Sequence, residues 1–402
     1  MSYDFDKAIE RRGTNCLKYD FAKERGRSAE LLPLWVADMD FETAPCVKER
    51  LQKAVEHGIY GYSEGKEEYF RAVHDWYERY YDWDVKKEWL VRTPGVVFAL
   101  AACVRAFTQK GDAVLLQQPV YYPFSEVILD NERELVNSPL VLRDGRYEMN
   151  FEDLEAKIVS EKVKLFLLCS PHNPVGRVWS EAELRKVGEI CLRHGVLVVS
   201  DEIHSDFTWP GKKHIVFASL DPAFSDIAVT CTAPSKTFNL AGLQISNIFI
   251  ENKTLRGRFL KAVAQAGYSQ VGLFGLIACQ TAYEEGHEWL EELKAYLHEN
   301  LLFVKSFLKE QMPEVKLIEP EGTYLLWLDF RGLSLNGEQL EELIVKKAKL
   351  WLDSGRMFGP DGTGFERINI ACPRSVLCRA MKQLRDAVQG CGDREAVDST
   401  EC

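Results

Sequence analysis

Residues 165–201 read LFLLCSPHNPVGRVWSEAELRKVGEICLRHGVLVVSD, and this stretch decides the fold. Near its ends LFLLC and VLVVS are short continuous apolar runs, and between them EAELRKVGEICLRHG carries a helical pattern. A strand with one wet face alternates apolar and polar residues, whereas a run that is apolar throughout needs cover on both faces. Strand, helix and strand in that order predict an α/β fold, a mostly parallel sheet sandwiched by helices. The same rhythm extends outward: GVVFALAACVRAFTQ from Gly95 reads as a helix, and AVLLQ, IAVTC and NIFI read as further buried strands. Ligands of such sheets bind beyond the carboxyl ends of the strands, so the residues just after each strand are the ones to inspect.

Past residue 285 the texture changes. HEWLEELKAYLHENLLFVKSFLKEQ is a long amphipathic helix pattern, followed by strand-like VKLIE and TYLLWLDF, another helix, and RINIA. With 402 residues the chain exceeds the roughly 250–300 at which a single core stops growing, so two domains are expected. The expected division gives residues 46–285 to a large domain and residues 1–45 and 286–390 to a smaller α+β domain. The stretch 391–402, CGDREAVDSTEC, has little apolar content and is expected to fray.

A formal net charge of −11 argues against a surface for the phosphate backbone of nucleic acid, which needs clustered Lys and Arg. The amino terminus, MSYDFDKAIERRG, has charges where a signal peptide needs an apolar region, and no apolar run reaches the roughly 18 residues of a membrane span. The eleven cysteines are scattered, odd in number and without a C-x-x-C pair, which suggests neither a zinc site nor a disulfide framework. Several lie in apolar runs, where a thiol acts as a small hydrophobe, and buried reduced thiols fit a cytoplasmic protein.

Three strand exits carry polar groups. IAVTC leads into TAPSKTFNLAGLQISN, where Lys236 sits among small and apolar neighbours. Poor hydration disfavours the charged amine, and a neutral lysine can condense with an aldehyde. Read alone, Lys236 is a solvated loop residue; its flanks argue otherwise. VLVVS runs into Asp201 and, three residues on, His204. A carboxylate after a buried strand is either a helix cap or the partner of a buried cation, such as a protonated pyridine nitrogen. His204 read alone is equally a satisfied core or surface histidine. LFLLC runs into SPHNPVG, where Asn173 by itself is a turn residue before proline. Gly95 to Val97 open a helix, whose free N–H groups form an anion site, a weak signal because every helix has such a start.

Together with YGYSEG, TPGVV, YYPF, SPHNPVGR, SDEIHSDF, APSKTFNLAGLQ and RINIACPR, these exits make residues 30–375 resemble the fold-type I pyridoxal-phosphate enzymes of the aminotransferase superfamily. LPLWVADMDF near the start narrows the resemblance to the cystathionine β-lyase (C–S lyase) branch.

The resemblance implies pyridoxal 5'-phosphate as cofactor, with Lys236 holding it and moving protons. It implies that Asp201 pairs with the pyridine nitrogen, Asn173 binds the ring oxygen and Tyr121 stacks on the ring. Many aminotransferases have a tyrosine where this chain has His204. The N–H groups of Val96 and Val97 and the Ser235 hydroxyl would hold the phosphate. Gln244 stands where many relatives carry a phosphate-binding arginine, so Tyr62 of a second subunit in a homodimer is expected to help. Arg367 matches the arginine that grips the substrate α-carboxylate, with Arg374 close by in sequence. Ala37, in WVADMDF, would line the substrate pocket beside Tyr121 and Asn173. No metal is implied.

The implied reaction is removal of the α-proton of an amino acid followed by loss of a thiolate from the β-carbon. Transfer of the amino group to a keto acid shares the first step and stays open as the alternative. A regulatory role through binding of a transcription activator is a second alternative.

Overall fold

A computed structural model describes residues 3–398, with side chains through residue 390. The chain forms two compact units, one of Glu42–Glu291 with Glu321–Thr323, the other of Met1–Phe41, Glu292–Pro320 and Tyr324–Cys402.

The larger unit is built on seven strands: β1 (Leu90–Thr93), β2 (Ala113–Leu116), β3 (Glu134–Asn137), β4 (Leu165–Cys169), β5 (Leu197–Asp201), β6 (Ala228–Thr232) and β7 (Ser246–Phe249). Their order across the sheet is β1-β7-β6-β5-β4-β2-β3. All neighbours pair in parallel except β7, which runs antiparallel to both β1 and β6. NIFI is therefore a buried strand as expected, but of opposite direction. An apolar run records burial on both faces and says nothing of direction.

The helices that matter for the site are α1 (Glu67–Tyr81), α2 (Val96–Phe107), α3 (Glu181–His194), α4 (Pro234–Thr237), α5 (Lys253–Gln265) and α6 (Leu273–Glu285). Ala99, Leu100, Cys103 and Val104 of α2 join Leu165, Leu167, Val199, Val229 and Cys231 of β4–β6 in one core, closed by Phe259 and Val263 of α5. Burying such side chains contributes roughly 1.5–3 kcal/mol each. The β4–α3–β5 connection is set by local chemistry. Ser180 and Glu183 form a reciprocal capping box at the start of α3, and Gly195 ends it in the left-handed conformation at φ 66°.

A buried charge cluster ties residues 321–323 into this unit. The Arg177 guanidinium donates to Glu321 (Nε to Oε2, 2.8 Å) and to Glu183 (2.8 Å). Lys212 (2.8 Å), Arg146 (3.1 Å) and the Val178 N–H (3.0 Å) also donate to Glu321. Burial pushes the Glu321 carboxyl up, but the bonds from Lys212 and Arg177 outweigh it and leave the group at about 2. A folded-state value below the unfolded one stabilises above pH ~4.5, and this stabilisation fades as the pH falls toward 2. Glu321→Gln is expected to lower stability at pH 7 by about 2 kcal/mol, because buried Arg177 keeps only Glu183 of its two carboxylate partners. It should also flatten the acid dependence between pH ~4.5 and 2. Urea denaturation across that range checks both; an unchanged midpoint at pH 7 would show the cluster to be dispensable.

The smaller unit holds β8 (Lys316–Leu317), β9 (Leu325–Asp329), β10 (Asp353–Ser354) and β11 (Phe365–Asn369) in the order β8-β9-β11-β10, all antiparallel. A separate parallel pair joins Leu32–Pro33 to Leu350–Trp351. The smaller unit also holds most of the long helix α7 (His287–Gln311), from Glu292 onward, and helix α8 (Arg374–Asp398). Helix α8 runs through Asp398, into the stretch expected to fray; residues 399–402 of that stretch lie outside the described residues. Among the described residues no helix is long and apolar enough to cross a membrane.

Candidate active site

Four neighbouring parallel strands, β6, β5, β4 and β2, deliver Lys236, Asp201, Asn173 and Tyr121 to the same edge of the sheet. Adjacent strands lie about 4.8 Å apart, so the four exits form a compact row. Backbone bonds lock them together: Ser170 N–H to the Asp201 carbonyl (2.9 Å), Glu202 N–H to the Cys231 carbonyl (2.8 Å), and Tyr121 N–H to the Asn173 carbonyl (3.0 Å). His172, which the sequence reading passed over, adds a bond from Nε2 to the Pro119 carbonyl (2.8 Å). Burial lowers its pKa to about 4, so the ring is neutral at pH 7 and this nitrogen carries the proton.

Asp201 is buried at the last position of β5, and its Oδ1 accepts the Ile203 N–H (3.1 Å). Burial raises its pKa to about 7; the Ile203 N–H and the charge of Lys236 pull it down without cancelling that effect. The carboxylate is thus under-compensated, the situation in which a cationic ring nitrogen is welcome. Asn173 and His204 are buried, while Tyr121, Ser235 and Lys236 are half-buried. Helix α2 starts at Val96 after Gly95, with no capping side chain, and Val97 is exposed. An uncapped twelve-residue helix start, an under-compensated carboxylate and a half-buried lysine together suit a phosphorylated pyridine aldehyde.

The supports of these groups were not read from the sequence. Asp206, buried in SDEIHSDF, takes bonds from Thr237 Oγ1 (2.5 Å), from Trp76 Nε1 (3.2 Å) and from Tyr81 Oη. Thr237 directly follows Lys236, so α1 and the turn after β5 fix the lysine turn from behind. Glu202 accepts from the Ser200 hydroxyl (2.8 Å) and the Phe217 N–H (3.1 Å) and pairs with His214 (2.8 Å). Asp206 carries no distinct sequence signal, since SDEIHSDF is mostly polar; two of its partners come from α1, about 130 residues earlier in the chain.

Tyr62 stands 96% exposed on this chain, near exposed Val55, Ile59 and Tyr60. Gln244 is exposed in the left-handed conformation at φ 52°.

Arg367 and Ala37 belong to the smaller unit. Arg367 is buried on β11, and its Nη2 donates to the Trp35 carbonyl (2.8 Å) and to Asp353. Phe358 lies 5.0 Å from the guanidinium. Ala37 is buried, and its carbonyl accepts from the Tyr324 hydroxyl (3.2 Å). Arg374 is engaged elsewhere, with Nε on Asn300 Oδ1 (2.7 Å) and its guanidinium over Phe303.

The family model described as aminotransferase class I and II matches residues 29–384. The chain is 43% identical to cystathionine beta-lyase PatB of Bacillus subtilis, covering 96% of this chain and 100% of that protein. It is 34% identical to protein MalY of Escherichia coli, over 96% and 99% of the two chains. Among solved structures, cystalysin of Treponema denticola, which contains pyridoxal 5'-phosphate, is 40% identical over 97% of this chain and 100% of its own, with a TM-score of 0.94.

Proposed function

The chain belongs to the aminotransferase class I and II family, and from that membership we propose that it is a pyridoxal-phosphate-dependent carbon–sulfur lyase. It takes cystathionine or another S-substituted cysteine and, with water, gives a thiol, pyruvate and ammonia. The observation that carries the reading is the row of strand exits bearing Lys236 and an under-compensated Asp201, in a chain with relatives of 43% and 32% identity named cystathionine beta-lyase. Transamination and a regulatory role are not favoured by those relatives.

When bound, pyridoxal phosphate supplies a conjugated electron sink next to the substrate α-carbon. Lys236 would hold the cofactor through its aldehyde, and its free amine would serve as general base for the substrate α-proton. Asp201 keeps the ring nitrogen protonated. Asn173 would donate to the ring oxygen, Tyr121 would stack on the ring, and His204 would belong to the same cofactor-binding set. The N–H groups of Val96 and Val97 and the Ser235 hydroxyl would hold the phosphate, in place of a charge at the position of uncharged Gln244. Arg367 pairs with the substrate α-carboxylate, its fork oriented by Asp353, and Ala37 lines the pocket.

The amino-acid substrate leaves the carbon skeleton of pyruvate whatever thiol departs, so the products test the reaction directly. Equal amounts of thiol, pyruvate and ammonia from cystathionine are expected; consumption of substrate without thiol release would contradict the reading.

A homodimer in the cytoplasm completes the proposal, with Tyr62 of a second copy reaching the phosphate. The exposure of Tyr62 and of Val55, Ile59 and Tyr60, close to it in sequence, supports it, since exposed apolar side chains grouped together mark interfaces. An active monomer in light scattering would remove Tyr62 from the site.

A further inference from the structure

Six consecutive carbonyls, from Leu34 to Met39, are each held by a donor within the smaller unit. The Leu34 carbonyl accepts from the Asn369 N–H (2.9 Å), Trp35 from Arg367 (2.8 Å), and Val36 from Asn369 Nδ2 (2.7 Å). Ala37 accepts from Tyr324 (3.2 Å), Asp38 again from Asn369 Nδ2 (2.6 Å), and Met39 from Arg11 (3.2 Å). Two side chains beyond this strap pin it further: Arg11 pairs with Asp38 and Asp40 (both 2.6 Å), and fully buried Lys18 pairs with Asp40 (2.9 Å).

Asn369 is the centre of the arrangement. Its amide hydrogens go to the carbonyls on either side of Ala37, and its Oδ1 accepts the Ala371 N–H (2.7 Å), so its carboxamide has one workable orientation. It lies two residues from Arg367 on the same strand, and side chains two apart share one face. One face of β11 therefore presents both the guanidinium and the clamp on the Ala37 segment, at a spacing set by strand geometry.

We propose that Asn369 is a positioning residue for substrate binding: it sets the Ala37 segment against the Arg367 guanidinium so that the two receive the carboxylate end of the amino acid together. This rests on the reading of Arg367 and Ala37 as substrate-binding residues. Asn369 spends its side chain on the backbone of Val36, Asp38 and Ala371, so its loss acts on substrate capture rather than on the chemical step.

The test uses cofactor-loaded protein and three variants, Asn369→Leu, Tyr324→Phe and Arg367→Lys. Pyruvate release from cystathionine is followed over substrate concentration, and glycine, which has no leaving group, is titrated by the absorbance of the bound cofactor. Asn369→Leu is expected to raise KM and the glycine Kd about tenfold or more, with kcat within about threefold and cofactor affinity unchanged. Tyr324→Phe removes one hydroxyl from the strap and is expected to raise KM about two- to fivefold, so it decides the matter should Asn369→Leu not fold. Unchanged KM in both, while Arg367→Lys raises it, overturns the role of Asn369 alone. Unchanged KM in all three overturns the substrate-binding reading beneath it as well. A parallel fall of kcat, cofactor affinity and Tm in Asn369→Leu would mark the residue as structural and also overturn the proposal.

Discussion

Lys236→Ala is expected to reduce pyruvate release by more than about 10⁴-fold, because in the proposed mechanism one substitution would remove both the covalent hold on the cofactor and the general base. Loss of a general base alone costs about 10²–10⁴-fold, and the loss of covalent capture adds to it. The folded structure should survive. Lys236 is half-buried, and its turn is held by Thr237 through Asp206 rather than by the amine. The variant should therefore unfold near the wild-type temperature while losing the yellow colour that a lysine-bound cofactor gives the protein. A variant that stayed covalently yellow, or kept a tenth of the wild-type rate, would take Lys236 out of both roles.

Asp201→Asn is expected to move activity and stability in opposite directions. In the role proposed for it the carboxylate would keep the ring nitrogen of the loaded enzyme protonated, and an amide could not, so kcat should fall about 10²–10³-fold. In the cofactor-free protein the same carboxylate is a liability. Burial sets its pKa at about 7, well above the ordinary aspartate value, so between pH ~4 and 7 the unfolded chain has lost a proton that the folded chain retains. Stability then falls as the pH rises through that window, the reverse of the Glu321 case. Asparagine has no proton to lose, so the cofactor-free variant should be more stable than wild type at pH 7.5, by on the order of a few kcal/mol, and flat across the window. Denaturation of both cofactor-free proteins at pH 5 and 7.5 measures this. Equal pH slopes would show that Asp201 is not the strained group, whatever the activity does.

Much of the larger unit was legible because its strands are buried on both faces. LFLLC, VLVVS and IAVTC became β4, β5 and β6, three adjacent parallel strands. The edge strands β1 and β3 were not read, since LVRT and ELVN are only partly buried and carry no apolar run. The reversed direction of β7 left no trace in composition. At the site, Lys236, Asp201 and Asn173 stood out because each is a polar group just past a buried strand. Their supports did not. Asp206 draws on Trp76 and Tyr81, and Arg177 on Glu321, across 125 to 144 residues of chain. Such partners are brought together only by the fold. The strap of carbonyls from Leu34 to Met39 is hidden for the same reason, because most of its donors come from residues 324–369.

The central claim, elimination at the β-carbon by a lysine-held cofactor, is tested most directly by pyruvate release from L-cystathionine by cofactor-loaded protein, with and without 2-oxoglutarate. Elimination needs no amino acceptor, so the expected rates are the same in both. Pyruvate that fails to appear without the keto acid, with glutamate formed when it is added, would contradict the account and make the protein an aminotransferase.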